Sequence, residues 1–124
     1  NIMAFTENMQ TRSYVAGSDL SAKQFRFVSL AADGAVDATG AGDAAAGVLL
    51  NNPAAAGAAG VAYDGRVTVV CGGTVTRGGE VASDAAGEAV DATTGDAILG
   101  YALETGADGQ VITIELARGN TLAL

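Results

Sequence analysis

Apolar and polar positions alternate along much of this chain with the two-residue period of strands rather than the 3.6-residue period of helices. The alternation is sharpest at Lys23-Gln-Phe25-Arg-Phe27-Val-Ser-Leu30, where Phe25 and Phe27 share one face and Gln24 and Arg26 the other. Asp33-Gly34 supplies a hairpin-type turn, and Ala35-Val-Asp-Ala38 reads as its return strand. From Val61 onward the pattern is regular. Val61-Ala-Tyr63 meets a turn at Asp64-Gly65, Val67 to Cys71 and Thr74 to Thr76 are strands, and Gly72-Gly73 and Gly78-Gly79 punctuate them. Further strands are predicted at Glu88–Asp91, at Ala97–Leu103 around a central Gly100, and at Gln110–Leu116. In the last, Val111, Thr113 and Glu115 face one way and Ile112, Ile114 and Leu116 the other.

Two stretches break this rhythm. Residues 1–22 are polar, lack a clear period, and read as an N-terminal arm with one short strand. Thr39 to Gly60 is rich in Ala and Gly; Gly47-Val-Leu-Leu50 reads as a strand, and Pro53-Ala-Ala-Ala56 as a short helix capped by Asn52 and stopped by Gly57. Short strands separated by glycine turns predict an all-β barrel or sandwich. The expectation is a small barrel over residues 23–124, preceded by the arm, with at most one short helix.

Composition thins the expected core. The chain has no Trp, and its aromatics are Phe5, Tyr14, Phe25, Phe27, Tyr63 and Tyr101. Ala and Val bury less apolar area per residue than Leu and Phe, so oligomerisation is a physical remedy. Fourteen acids face six scattered bases, for a net charge of −8. Nucleic acid and anionic membranes both call for clustered Lys and Arg, so neither is expected as a partner. Cys71 stands alone and reads as a buried small hydrophobe in a strand; no His is present to serve it as a base.

Candidate chemistry is sparse. Asp37-Ala-Thr-Gly40-Ala-Gly42-Asp43-Ala-Ala-Ala-Gly47 resembles the anion-hole signature of ribokinase-type sugar kinases, a likeness that would make Asp43 a base. It covers about eleven residues, and the β pattern around it is foreign to that large α/β family, so a kinase fragment is only a remote alternative. Gly40, Gly42 and Gly47 do not have dinucleotide spacing, and Lys23, the one lysine, lies in no phosphate loop. Asp33, Asp37, Asp43, Asp64, Asp84, Asp91, Asp96 and Asp108 are hard oxygen donors, but none has a calcium-loop spacing, and turn chemistry accounts for them. No catalytic residue, cofactor or metal is expected, and the chain is read as no enzyme.

A broader likeness runs from about Phe25 to Ala117. Its elements are Gly60-Val-Ala62, Val67-Thr-Val69, Gly73-Thr-Val75, Gly79-Glu-Val81-Ala-Ser-Asp84-Ala-Ala-Gly87, Gly100-Tyr-Ala-Leu-Glu104 and Gly109-Gln-Val-Ile-Thr-Ile-Glu-Leu116. In this order they resemble the capsid decoration (cement) proteins of tailed phages. The resemblance implies a β-tulip-like domain, a homotrimer, and a place on the outer surface of the virion after synthesis in the host cytoplasm. The implied partner is the major capsid protein, whose subunits such a trimer bridges against internal pressure. Phe5, Arg12 and Tyr14 are the expected capsid contacts of the arm, since aromatics and Arg dominate binding energy. A β-rich fibre or surface-adhesion module is the alternative.

Overall fold

The computed structural model describes residues 7–117. Within them are nine strands: β1 (Glu7–Ala16), β2 (Phe27–Ala32), β3 (Ala35–Ala38), β4 (Gly47–Leu49), β5 (Ala58–Val70), β6 (Glu80–Ser83), β7 (Ala89–Asp91), β8 (Gly100–Ala102) and β9 (Val111–Leu116). All nine join one sheet in the order β1-β3-β2-β4-β5-β9-β8-β6-β7. β1 pairs additionally with β5, which closes the first five members into a ring. The fold is a small all-β domain with a partial ring, not a regular barrel.

β5 is the spine of the molecule. Its first part, Ala58 to Arg66, lies antiparallel to β1, and Val61 and Ala62 also pair with β4. Its last part, Arg66 to Val70, pairs with β9. The change of partner falls at Asp64-Gly65, where Gly65 takes a φ of 99° and donates its N–H to Asp64 Oδ1 at 3.0 Å. Opposite this point the β1 register shifts between Glu7 and Thr11. An Asp-Gly pair that reads as a reversal is therefore an irregularity inside one long strand, because β1 holds the chain extended on both sides of it.

The remaining strands fold back on the same spine. β9, β8, β6 and β7 follow one another antiparallel, and Ala89 of β7 returns to bridge Cys71 just beyond β5. Gly72 N–H donates to Ala89 O at 2.8 Å and completes that contact.

Two apolar clusters result. The ring interior holds Ala16, Leu20, Val28, Val36, Leu49, Ala59 and Val61, with half-buried Tyr14 against them. The larger cluster holds Phe27, Val48, Ala62, Val67, Val69, Cys71, Val81, Leu99, Ile112 and Ile114, among others. Adjacent residues divide between them: Phe27 and Val28, Val48 and Leu49, and Ala62 and Val61 point to opposite clusters. Consecutive apolar residues in these strands are thus the mark of two buried faces.

Several expected elements change. β2 starts at Phe27, not Lys23: Phe25 sits at φ 65°, donates its N–H to Leu49 O and accepts from Val70 N–H, so it is a clamp between strands and does not share a strand face with Phe27. The helix expected at Pro53–Ala56 is a turn. Ala56 adopts φ 67° so that its N–H reaches Ala16 O, while Ala16 N–H reaches Gly57 O. Thr74–Thr76 keeps only the single bridge of Val75 to Gly106. β6 was not anticipated. Residues 7–16, inside the expected arm, form a ten-residue strand, longer than the short one expected. The face assignment in the last strand holds: Ile112, Ile114 and Leu116 enter the core, and Thr113 is buried as well.

Candidate functional site

The glycine-rich segment with Asp43 is tied down as a loop. Asp43 N–H donates to Gly40 O, Gly42 N–H to Ser83 O, and Ala97 N–H to Gly42 O. Ala44 to Ala46 lead directly into β4 without a helical turn. No helix N-terminus stands behind Asp43, so the electrostatic element of a phosphoryl-transfer anion hole is missing from this loop.

Three other aspartates hold backbone and hydroxyl donors in place. Asp96 Oδ2 accepts from Thr93 N–H and its hydroxyl at 2.9 and 3.0 Å, Asp84 Oδ1 from Ala86 and Glu88 N–H at 2.9 Å each, and Asp91 from Thr76. The bonds of Asp84 and Asp96 are the local ones for which Asp is favoured in turns, whereas Asp91 ties two segments distant in the sequence. Among the described residues no three of His, Cys, Asp and Glu group as metal ligands.

Cys71 is buried in the larger cluster. Burial pushes its thiol up to about 11, helped by the negative charges of Glu104, Asp108 and Glu88. At neutral pH it is a protonated, unreactive packing group.

The expected capsid contacts divide. Phe5 lies outside the described residues. Arg12 pairs in register with Val61 of β5, and its guanidinium stacks over the Tyr63 ring at 4.8 Å. Tyr14 pairs with Ala59 and packs on the ring interior. In this chain both side chains rest on their own domain. A recess lined by Phe27, Ala45, Gly47, Tyr63, Leu99 and Leu116 has about 40 Å³ of room, enough for a little water and far below a cofactor site.

What stands out is a surface. In β5, β9 and β8 the residues Val67, Val69, Ile112, Ile114 and Ala102 enter the core. Alternation turns their neighbours outward: Arg66, Thr68 and Val70 on β5, Val111, Thr113 and Glu115 on β9, and Tyr101 on β8, with Leu103 next to it. Register places Val70 beside Val111, Thr68 beside Thr113, and Arg66 beside Glu115, which pairs with Tyr101 in turn. Leu103 N–H donates to Thr113 O, keeping Leu103 on the same face. Tyr101, Leu103 and Val111 remain 42%, 39% and 44% exposed, while Thr68 and Thr113 between them are buried. Sequence reasoning missed this face because its members lie on three segments that only the pairing unites. The signal that was present is the outward set of the last strand, Val111-Thr113-Glu115.

No family model matches the chain, and no curated protein matches it. Among solved structures, it is similar to the N base of head fiber gp8.5 of bacteriophage phi29: the TM-score is 0.69 at 18% identity, over 93% of this chain and 99% of that one. At that identity the likeness establishes a shared fold.

Proposed function

We propose that this chain is a structural, non-enzymatic virion protein seated on the outer surface of a phage head. The observation that carries the reading is the end-to-end fold likeness to a phage head-fiber base, which takes in nearly the whole of both chains. Two independent features agree with it. The order of short motifs from Phe25 to Ala117 resembles the capsid decoration proteins of tailed phages. The polar side chains inside the fold serve turns and pairings, and its most distinctive exposed feature is a sheet face suited to contact. In this proposal the major capsid protein is the partner, the chain acts as a homotrimer bridging capsid subunits, and avidity over many copies replaces tight single contacts.

The test is co-sedimentation of the purified chain with heads of the encoding virus stripped of it. Saturable binding at a fixed ratio to capsid protein is expected, with light scattering reporting the trimer. Absence of binding at high protein concentration and low salt overturns the proposal. The matched neighbour favours a second reading, in which the domain is the base of a projecting fibre. Electron microscopy of the heads separates the two: decoration gives compact knobs, and a base carries a shaft.

A further inference from the structure

The outward face of β5, β9 and β8 carries apolar side chains around two buried threonines and is acidic at its border. Tyr101, Leu103, Val111 and Val70 surround the two threonines. At the border stand Glu80, which pairs in register with Tyr101; Glu104, which follows Leu103; Asp108, in the turn before β9; and Glu115. Among the described residues two bases oppose them. Arg66 is engaged with Glu115 at 3.3 Å, and Arg77 lies beside the Thr105 hydroxyl, which accepts its backbone N–H. Among the described residues the balance at the border is negative, and burial first, then the charges of Glu104, Asp108 and Glu88, raise the Cys71 thiol beneath it.

We infer that this face is the docking surface of the chain, and that its occupant is a protein patch with an aliphatic centre and Lys or Arg around it, on the shell of the head. The assignment rests on the proposed head-surface role. Charge selects the occupant. A second copy of this chain has six bases against fourteen acids, scattered along the sequence, and cannot furnish a basic border. Apposing two such faces sets carboxylate against carboxylate. Strand addition at the face is also disfavoured, because β9 is paired on both sides by β5 and β8, and on the edge of β5 away from β9 Arg66 pairs with β1 and Val70 N–H bonds Phe25 O. Contact therefore runs through side chains. Tyr101 and Leu103 are the anchors, and the acids supply steering and register.

The same co-sedimentation experiment tests this with three variants. Tyr101→Ser/Leu103→Ser removes the anchors at positions already solvent-exposed, and an unchanged melting temperature verifies that the fold is kept. Glu80→Lys reverses one border charge and leaves the apolar side chains intact. Leu30→Ser, at a 61% exposed site on β2 away from this face, is the control. Expected are a loss of head binding of about tenfold or more for the double variant, a several-fold loss for Glu80→Lys, and no change for Leu30→Ser. Wild-type binding is expected to weaken from about 50 to about 500 mM salt, less steeply in Glu80→Lys. Wild-type levels of binding by both the double variant and Glu80→Lys overturn the docking face while leaving the head-surface role standing. Failure of the wild-type chain to bind overturns that role and the docking face together.

Discussion

At the scale of single residues, this fold depends on close backbone approach more than on bulk. Gly47 opens β4 against β5, and a Cβ placed there would meet Ala62 O at 2.0 Å and Val61 Cγ1 at 2.8 Å. Neither neighbour can withdraw, since both are in the spine strand. Gly47→Ala is expected to lower stability by about 3 kcal/mol, the upper range for overpacking a closed core. Gly34 is the contrast: nothing lies within 4 Å of its Cβ position, and the strain comes from its φ of 69° alone. Gly34→Ala is expected to cost about 1 kcal/mol. Paired urea denaturation curves check both, and equal losses would contradict the packing argument. Cys71 adds a pH dependence. A thiol raised from 9.0 to about 11 on folding binds its proton more tightly folded than unfolded. Its contribution is complete below pH 9 and is lost as pH rises toward 11. Alkaline melts of the wild-type protein should therefore fall more steeply over this window than those of Cys71→Ala. Native protein should also react slowly with a thiol reagent at pH 8 and quickly once unfolded.

At the scale of elements, β4, the start of β2 at Phe27-Val28 and the Val61-Ala62 step of β5 carry the stability, because there consecutive side chains are buried on both faces. Phe27, fully buried, is the largest side chain of the joint between the two clusters. Phe27→Ala is expected to cost about 3–5 kcal/mol, checked by denaturant unfolding. Legibility followed the same division. β9 and the β2–β3 hairpin could be read because local alternation and an Asp-Gly turn suffice to specify them. β5 was cut at Asp64-Gly65 because its continuity comes from β1, some fifty residues earlier in the chain, and no local signal carries that pairing. The same distance hid Ala56, whose left-handed turn is imposed by hydrogen bonds to Ala16. The sheet face was half visible: the outward residues of β9 were assigned from the sequence, but their partners on β5 and β8 could not be.

At the scale of the whole molecule, the question is whether the ring and the β6–β9 half are two units or one. Each could have been a small closed structure with its own core. The shared strands decide against this. Phe27 and Val28, Val48 and Leu49, and Ala62 and Val61 each send one side chain into either cluster, so neither cluster can lose its packing while the other stays whole. β5 also cannot straighten or shift register for one half alone, since a slip of one residue exchanges its two faces throughout. One cooperative transition is therefore expected in calorimetry, with equal calorimetric and van't Hoff enthalpies. Leu49→Ala, in the ring, and Ile114→Ala, in the larger cluster, should each lower that single transition, by about 2–5 kcal/mol. A variant that splits the trace into two transitions would show that the halves fold independently. A cooperative unit of this kind suits the proposed head-surface role, in which load on the outward face of β5, β9 and β8 would pass through β5 into the ring without meeting a hinge between modules.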